Sequence, residues 1–377
     1  DSLSINTTAP RQAKFMRART DMPGSPLSEI ANAFHFDASL YARYLRGMAE
    51  RAGVQRTEGI IVKVNQREGD GHIQSLLMAN GEVVEGDFFV DCSGIRALLI
   101  EQTLKVGYDD WSHWLPCDRA IAVPCASVQP LLPMTRSTAH SAGWQWRIPL
   151  QHRIGNGHVY SSSFMSEDEA TSILLNNLDG EQLAAPRVVK FLTGRRRQFW
   201  KRNCVAVGLS SGFMEPLEST SLHLIQSAIV RMLAFFPWAG FDQADVDEYN
   251  RQTALEYEQI RDFLILHYKA TERTDSAFWN HCRTMDIPDS LRRKMALFRA
   301  NGRVFRDNNE LFGEASWLQV MVGQRVLPQG YHPMADLRTE AELDAILGDV
   351  KRVVAKCVDV MPTHAEFIAS HCAAAKS

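Results

Sequence analysis

Two acidic side chains, Glu215 and Glu218, lie three residues apart in the stretch SGFMEPLESTSLHLIQSAI, residues 211–229. Pro216 and the neighbouring glycine predict a turn, and the apolar residues after the Ser-Thr-Ser run recur at helical spacing. A carboxylate held rigidly at such a helix start could act as a general base or stabilise developing charge. The alternative is an ordinary capped helix, since acids near a helix N-terminus interact favourably with its positive end.

The same helix start could also bind an anion, because the first backbone N–H groups of a helix have no partner within it. Ser219, Thr220 or Ser221 is predicted at the N-cap, and residues 203–208 before the turn are predicted as a buried strand. The stretch therefore predicts a strand, a turn that carries the two acids, and a helix.

Two further stretches contain residue types that suit a ligand site. Residues 88–104, FFVDCSGIRALLIEQTL, predict a strand followed by a helix, with Gly94 allowing a flat or phosphorylated ligand to approach the backbone. The alternative is that these residues only form a tight turn between the strand and the helix, without a ligand. Residues 143–149, GWQWRIP, place Trp144 and Trp146 on one face of a predicted strand. These indoles either belong to the core or form the wall of a pocket.

The elements that must position these residues predict an α/β (α+β mixed) fold. Asp37 is a good N-cap for an amphipathic helix that ends at Gly53. Asn80-Gly81 between two apolar runs predicts a hairpin, and the strand that follows ends at the Asp-x-Ser-Gly turn.

Residues 120–164 predict a second β-sheet, because short apolar segments alternate with Pro, Gly and His-Arg turns. After residue 222 the sequence is predicted to be mostly helical. We therefore divide the chain into residues 1–221, which contain the sheets, and a mainly helical region, residues 222–377.

Composition argues against several functional classes. The 377 residues carry a formal net charge of −3, so no basic surplus indicates nucleic acid as a partner. Seven cysteines without a C-x-x-C pair and twelve dispersed histidines favour neither a disulfide framework nor a metal site, and they fit a cytoplasmic setting. No apolar stretch reaches the ~20 residues of a membrane span. The Arg-rich run at residues 194–197 is predicted to be a solvated turn.

Together, the three stretches resemble the flavin-dependent halogenases of the tryptophan halogenase family. The resemblance extends to about residue 335 and rests on DCSG-x-R-x-LLI, on W-x-W-x-I-P at residues 144–149 and on NCVAVGLSSGFMEPLEST at residues 203–220. It implies a flavin-monooxygenase-like fold with a second β-sheet and a helical C-terminal region. The tryptophan motif distinguishes this family from related flavin monooxygenases.

The resemblance implies an oxidoreductase that halogenates an aromatic substrate, indole-like or phenolic. In such enzymes FAD, reduced by a separate flavin reductase, reacts with oxygen to give a flavin hydroperoxide. Chloride or bromide attacks this species, and the hypohalous acid reaches the substrate through a tunnel, where a lysine and a glutamate hold it. The implied partners are the reductase and a small aromatic substrate, and the resemblance admits a homodimer.

The family motif places the catalytic glutamate at Glu218, with Ser219 beside it, and places halide binding at the backbone of Thr220 and Ser221. The positions that match flavin contacts, or lie in the turn near the flavin, are Ile61, Ser93, Gly94, Leu209 and Leu222.

The tryptophan motif implies that Trp144 and Trp146 keep an organic substrate away from the flavin, so that only halide reaches it. Trp317 is a candidate for stacking on the substrate, with a core position as the alternative. His223, just after the Ser-Thr-Ser run, is predicted to be a buried, hydrogen-bonded histidine.

Three departures from the family pattern lead to further expectations. The chain contains no G-x-G-x-x-G fingerprint and no lysine that matches the family's catalytic lysine, which predicts that an N-terminal dinucleotide-binding block is missing. Residues 316–319 lack the tyrosine pair with which tryptophan-specific members hold the amino acid, and Ser221 stands where those members have glycine. Free tryptophan is therefore disfavoured as the substrate.

Two other functions stay open on the sequence. A flavin monooxygenase of the same fold would insert oxygen, and the tryptophan motif argues against it. A non-catalytic fragment or binding paralogue is supported by the absent glycine fingerprint.

The absent fingerprint predicts that this polypeptide alone binds flavin weakly and is inactive, because the glycines allow a phosphate-bearing cofactor to approach the backbone. Titration of the polypeptide with FAD, followed by flavin fluorescence, measures the affinity. Tight binding would contradict the expectation.

Overall fold

The structure is a computed structural model that describes residues 2–307 and 310–374. Its α-helices are α1 Ile5–Arg11, α2 Ala38–Arg51, α3 Glu167–Asn176, α4 Ser221–Ala234, α5 Gln243–Lys269, α6 Ala277–Thr284, α7 Asp289–Asn301, α8 Glu314–Gly323, α9 Glu340–Asp359 and α10 His364–His371. Within the described ranges, none of the helices is long and apolar enough to cross a membrane.

The strands of the described residues form four separate sheets rather than one large one. The strands are β1 Ile61–Gln66, β2 Ile73–Met78, β3 Val83–Glu85, β4 Phe89–Asp91, β5 Tyr108–Asp110, β6 Arg119–Cys125, β7 Arg136–His140, β8 Gly143–Pro149, β9 Ile154–Tyr160, β10 Arg187–Lys190, β11 Gly194–Arg196, β12 Trp200–Lys201, β13 Cys204–Ala206 and β14 Gly212–Phe213.

The predicted first helix and hairpin are confirmed. The Asp37 carboxylate accepts hydrogen bonds from the backbone N–H groups of Ser39 and Leu40, so it caps α2 as expected. Gly81 has a φ of 87° in the turn between β2 and β3, a left-handed conformation that glycine adopts without steric cost. The resulting antiparallel sheet has the order β1-β2-β3.

The second sheet predicted over residues 120–164 is also confirmed. It is antiparallel, with the order β10-β6-β9-β8-β7, and the tryptophan motif lies on β8 between β9 and β7. Trp146 faces Gly157 of β9 across the ladder. A Cβ atom added at Gly157 would lie 2.0 Å from Cζ2 of Trp146, so the glycine leaves the space that the indole fills.

A three-stranded sheet of order β12-β13-β4 contains a parallel pair, β4 and β13, with Phe89 opposite Cys204 and Asp91 opposite Ala206. The predicted strand at residues 203–208 is confirmed over Cys204–Ala206. Because the two strands run in the same direction, the turns that follow them emerge at the same edge of the sheet.

Long helices pack against the sheets, and the region after residue 222 is mostly helical, as the sequence predicts. Helix α5 has 27 residues, and its C-terminal half is almost completely buried. One hydrophobic core joins residues of the antiparallel sheet, such as Trp144 and Val159, to residues of α5 to α8, such as Phe263 and Trp317. The two predicted regions thus share a core, and their boundary stays a prediction.

The expectation that residues 194–197 form a solvated turn is wrong. These residues include strand β11, and the Arg196 side chain is buried with its Nη1 3.0 Å from Oε2 of Glu101. Arg195 lies 2.8 Å from Glu258 of α5. Arg195 and Arg196 are shielded from solvent because each guanidinium group has a carboxylate partner that offsets its desolvation, whereas Arg197 is exposed.

We predict that Gly157→Ala lowers the free energy of unfolding by about 1–3 kcal/mol, because the methyl group overlaps the Trp146 ring in a packed sheet. Urea unfolding followed by tryptophan fluorescence measures the change. Gly323→Ala at the end of α8 is the matched control, since an added Cβ there meets no atom within 4 Å. Equal unfolding midpoints for the two variants would contradict the packing role of Gly157.

Candidate functional site

The carboxylate of Asp91, at the end of β4, organises the turn that follows this strand. Oδ1 accepts hydrogen bonds from the Ser93 backbone N–H and hydroxyl at 2.9 and 2.6 Å, and Oδ2 accepts from the N–H groups of Leu99 and Ile100 at 3.0 and 2.8 Å. The Ser210 hydroxyl, in the turn after β13, donates to the Asp91 carbonyl oxygen. Buried Asp91 therefore holds the two turns together.

The helix predicted to follow the strand within residues 88–104 differs from expectation. Residues Gly94–Arg96 form a 3-10 turn, and residues Leu98–Thr103 form a π-helix. Ala97 between them has a φ of 45°, and the Asp91 carboxylate occupies the N–H groups at the start of the π-helix. This side-chain capping inside a short loop explains why an ordinary helix does not begin there.

The predicted flavin-contacting residues of the two turns lie next to one another in the fold. Ser93 is held on both sides, since its hydroxyl also accepts the N–H of Leu98 at 2.7 Å. The turn Gly94–Arg96 contacts the turn Gly208–Ser210, which in turn contacts α4. Glycine at position 94 is explained by its φ of 73°. An added Cβ there would meet nothing within 4 Å, and the close approach of a ligand stays a prediction.

Apolar side chains project from these adjoining elements into solvent. Leu209 is 41% exposed and Leu222 is 46% exposed, although leucine is normally buried. A planar, largely apolar ring system would cover them, so the residues present fit a flavin at the carboxyl edge of the parallel strands. Ile61 lies on β1 in a different sheet, and its predicted adenine contact stays a prediction.

The acidic turn itself has a fixed geometry. Residues Pro216–Glu218 form a 3-10 turn, and Ser219 has a φ of 54°, a left-handed conformation that is uncommon for a residue with a side chain. The chain therefore bends sharply between Glu218 and α4. Thr220 is the N-cap, as one of the predicted choices, yet its side chain makes no capping hydrogen bond.

An uncapped helix start is available to an anion. The first helical hydrogen bond of α4 runs from the Leu224 N–H to the Thr220 carbonyl, so the N–H groups before Leu224 are those a helix leaves without internal partners. Thr220 is buried and Ser221 is half-buried, so the start of the helix is largely shielded from solvent. The arrangement suits halide binding at the predicted residues.

His267 of α5 contacts the predicted catalytic glutamate. Its Nε2 lies 2.9 Å from Oε1 of Glu218, and the two side chains are 18% and 30% exposed, respectively. His267 Nδ1 is hydrogen-bonded to the Phe263 carbonyl one helical turn earlier, at 2.8 Å, which fixes the ring orientation. The carboxylate is thus held in place while one edge stays open to a ligand.

The neighbouring residue Tyr268 holds the other acid. Its hydroxyl donates to Oε1 of Glu215 at 2.6 Å, and the Glu215 side chain is 0% exposed. Burial raises the pKa of Glu215 to about 7, against the opposing effects of Tyr268, His267 and the nearby Trp144 indole. Glu215 therefore has the structural role that the sequence favoured, and it differs sharply in environment from Glu218.

The tryptophan motif lies close to the buried side chain of Glu215. Trp144 is in the core, and Trp146 packs beside it with a ring-centroid distance of 6.1 Å, so the two indoles share a face as predicted. Neither Nε1 of Trp144 nor Oε2 of Glu215 makes a hydrogen bond of ordinary geometry, although the indole is close enough to favour the ionised carboxylate. Trp144 thus connects the second sheet to the acidic turn.

Trp317, the predicted substrate-stacking residue, is 1% exposed. Its ring packs edge-on against Phe263 at 4.9 Å, and the Lys294 ammonium lies 4.8 Å from its centroid. These contacts favour the core alternative. It is connected to the site only indirectly, because Phe263 also contacts His267.

His223 was expected to be buried and hydrogen-bonded, and the second part is confirmed. Its Nε2 lies 2.9 Å from Oε1 of Glu256 on α5, and the side chain is about one third exposed. Glu256 is also bound by Ser227 and Arg231, so the cluster fastens α4 to α5.

Sequence reasoning missed His267 and Tyr268. Both belong to the run FLILHYK, which was recognised only as part of a helix. The available signal was a pair of polar, ring-bearing residues at the end of an otherwise apolar, buried helical segment, since buried polar groups need partners.

Comparison with known proteins identifies similar sequences. Residues 1–340 match the tryptophan halogenase family. The chain is 34% identical over 353 residues to the tryptophan 6-halogenase ThaL of Streptomyces albogriseolus, covering 88% of this chain and 66% of the relative. It is 32% identical to the tryptophan 7-halogenase RebH of Lentzea aerocolonigenes, covering 90% of this chain and 68% of the relative.

Solved structures agree on the fold. Xcc4156, a flavin-dependent halogenase from Xanthomonas campestris, matches 100% of this chain and 75% of its own with a TM-score of 0.96 and 48% identity. BrvH, a flavin-dependent halogenase from Brevundimonas sp. BAL3, matches 98% of this chain and 75% of its own with a TM-score of 0.95 and 45% identity. The predicted mixed α/β fold is confirmed.

The family match covers residues 1–340 and gives no support for the predicted loss of an N-terminal dinucleotide-binding block. The chain spans about two thirds of the length of the curated relatives that it matches.

The buried carboxyl of Glu215 predicts a pH-dependent stability. Its pKa is higher in the folded protein, at about 7, than the ordinary value of 4.5, so the folded state binds the proton more tightly. Stability should therefore fall as pH rises from about 5 to about 7, by an amount on the order of 3 kcal/mol, and level off above that range.

Glu215→Gln should remove this fall, because the amide keeps an acceptor for Tyr268 and does not ionise. Urea unfolding of wild type and variant between about pH 5 and pH 8 measures the difference. If the free energies of unfolding of wild type and Glu215→Gln differ by the same amount at every pH in this range, the raised pKa of Glu215 is contradicted. Glu169→Gln on the exposed face of α3 is the control, with no effect expected.

Proposed function

Because the chain belongs to the tryptophan halogenase family of flavin-dependent halogenases, we propose that this protein halogenates an aromatic substrate with the help of FAD and chloride or bromide. The observation that carries the proposal is the position of Glu218. Its carboxylate is fixed by His267 beside the uncapped start of α4. A carboxylate that can accept a proton therefore lies next to a helix start that attracts anions.

Residues of the parallel-strand edge suit the cofactor. Ser93, Gly94, Leu209 and Leu222 would hold FAD, since the first two form a rigid turn and the leucines offer exposed apolar surface. Bound reduced FAD supplies, with oxygen, the oxidising power that converts halide into hypohalous acid. The N–H groups at Thr220 and Ser221 would hold the halide by the partial positive charge of the helix start.

Glu218 then serves the transfer of halogen to carbon. Replacement of an aromatic hydrogen by halogen releases one proton, and a carboxylate within reach accepts it. The same carboxylate orients the hypohalous acid through its hydrogen. Ser219 turns the backbone sharply at this point, which fixes the direction of the Glu218 side chain.

The tryptophan motif supports halide as the nucleophile. Trp144 is packed in the core and Trp146 against it, so the pair forms a rigid apolar barrier between the second sheet and the acidic turn. Such a wall would exclude an organic substrate from the cofactor while admitting a small ion. This observation favours a halogenase over a flavin monooxygenase of the same fold.

We propose an indole-like or phenolic substrate other than free tryptophan. The described part of α8 offers only Trp317 near the predicted substrate region, and this side chain is buried, so no tyrosine pair of that helix would hold an amino acid. A flavin reductase as partner, a homodimer and a cytoplasmic location belong to the same proposal.

A product screen tests the reaction type. The full-length protein is incubated with FAD, a flavin reductase, NADH and a panel of indoles and phenols, with chloride, with bromide or without halide. Halogenated products that change mass with the halide are expected. Oxygenated products that form equally without halide would instead establish a monooxygenase.

Glu218→Gln should reduce the rate of halogenation by roughly tenfold or more, because the amide cannot accept the ring proton. The affinity for FAD should stay unchanged, since the side chain faces His267 and not the strand edge. Product formation is followed by mass spectrometry and flavin binding by fluorescence. Near-normal turnover by the variant would overturn the role of Glu218, and Glu169→Gln serves as the control.

A further inference from the structure

The hydrogen bonds of His267 determine where its protons are. Nδ1 lies 2.8 Å from the Phe263 carbonyl oxygen. A carbonyl oxygen accepts but never donates, so Nδ1 must carry a hydrogen. Nε2 faces Oε1 of Glu218 at 2.9 Å, a distance typical of a hydrogen bond. A bare Nε2 and an ionised carboxylate would both present lone pairs and repel each other.

The pair must therefore contain one further proton between Nε2 and Oε1. This proton forms the hydrogen bond that joins Nε2 of His267 to Oε1 of Glu218. Both side chains are largely shielded from solvent, which strengthens their attraction.

The surroundings of the pair are compatible with this proton. Glu215, in the same turn, is the nearby ionisable group, and it is already bound by Tyr268. Gln324, the C-cap residue of α8, donates from its side-chain amide to the backbone carbonyl of His267 and leaves the ring free. Phe263 packs edge-on against the imidazole at 5.1 Å, so one ring face is covered by an apolar group.

Resting on the function proposed above, we infer that Glu218 and His267 share this proton during catalysis. Hypohalous acid transfers its halogen to the aromatic carbon, the carbon–halogen bond forms, and the oxygen–halogen electron pair stays on oxygen. The shared proton converts the departing hydroxide into water. The carbon–hydrogen bond then breaks, its electrons restore the aromatic ring, and the ring proton returns to the pair.

This sequence balances, since aromatic C–H and hypohalous acid give aromatic C–halogen and water, and the pair ends with the proton it started with. Glu218 touches the reacting atoms, and His267 acts through it as a positioning residue that stores the proton. A glutamate alone would have to be protonated for the first step and ionised for the second.

The first test uses the protein without flavin or substrate. Histidine labelled with ¹⁵N in the ring is observed by NMR at neutral pH, and the signals of His267 are assigned by their loss in His267→Gln. We expect hydrogens on both ring nitrogens in wild type and on Nδ1 alone in Glu218→Gln. A bare Nε2 in the wild-type protein would overturn the inference, whatever the halogenation assay shows.

The second test measures halogenation of indole with bromide, FAD and a flavin reductase. His267→Gln keeps a hydrogen-bonding group near Glu218 but stores no proton, so kcat should fall roughly tenfold or more with KM for indole little changed. Added imidazole should restore part of the rate in His267→Ala. Exposed His281→Gln on α6 is the matched control, with no change expected.

Circular dichroism establishes that the variants are folded, and the wild-type NMR result decides the proton count independently of them. If wild type halogenates indole and folded His267→Gln keeps its kcat, the inference is wrong and the proposed function stands. If wild type gives no brominated product while both ring nitrogens carry hydrogen, the proposed function fails and the shared proton is retained.

Discussion

This site depends on the contacts of hydrogen-bond length between two consecutive residues of α5 and the two acids of one turn. Tyr268 binds Glu215 in the interior, and His267 binds Glu218 at the boundary with solvent. Since consecutive helical residues point in different directions, one helix end fixes both carboxyls at once. The buried acid anchors the turn, and the partly exposed acid is left for chemistry.

This anchoring extends across the molecule. Trp144 brings the antiparallel sheet to the buried acid, and Asp91 joins the turns that follow the two parallel strands. The turn after β13 leads directly into the acidic stretch, so the proposed cofactor edge and the proposed catalytic turn are consecutive in the chain. A cofactor, a halide and a substrate would meet at elements that the core holds rigidly.

Much of this arrangement is predictable from local sequence signals. Asp37 predicts a helix cap, and Asn80-Gly81 predicts a hairpin. The motif around Glu218 predicts a helix start and also indicates the family. Signals of this kind are local, since they depend on backbone preferences and on side-chain spacing. The partners of Glu218 and Glu215 are 49 and 53 residues further along the chain, on α5. Pairing over such a sequence separation produces no local sequence pattern.

Two of the errors have the same cause. Arg195 and Arg196 are shielded because Glu258 and Glu101 reach them from distant segments, and Trp317 is buried because α5 and α7 cover it. The irregular helix after Gly94 arises from capping by Asp91, a bond between close residues that composition does not reveal. In the first two cases a tertiary partner changed the environment of a residue whose type was correctly noted, and in the third a local side-chain to backbone bond did so.

The coupling between Glu218 and His267 is the central claim, and a double-mutant cycle on kcat for indole bromination tests it most directly. If the two residues share one proton, Glu218→Gln and His267→Gln together should slow the reaction about as much as either change alone. A double variant slowed by the product of the two single effects would show that the residues act independently, and would contradict the account.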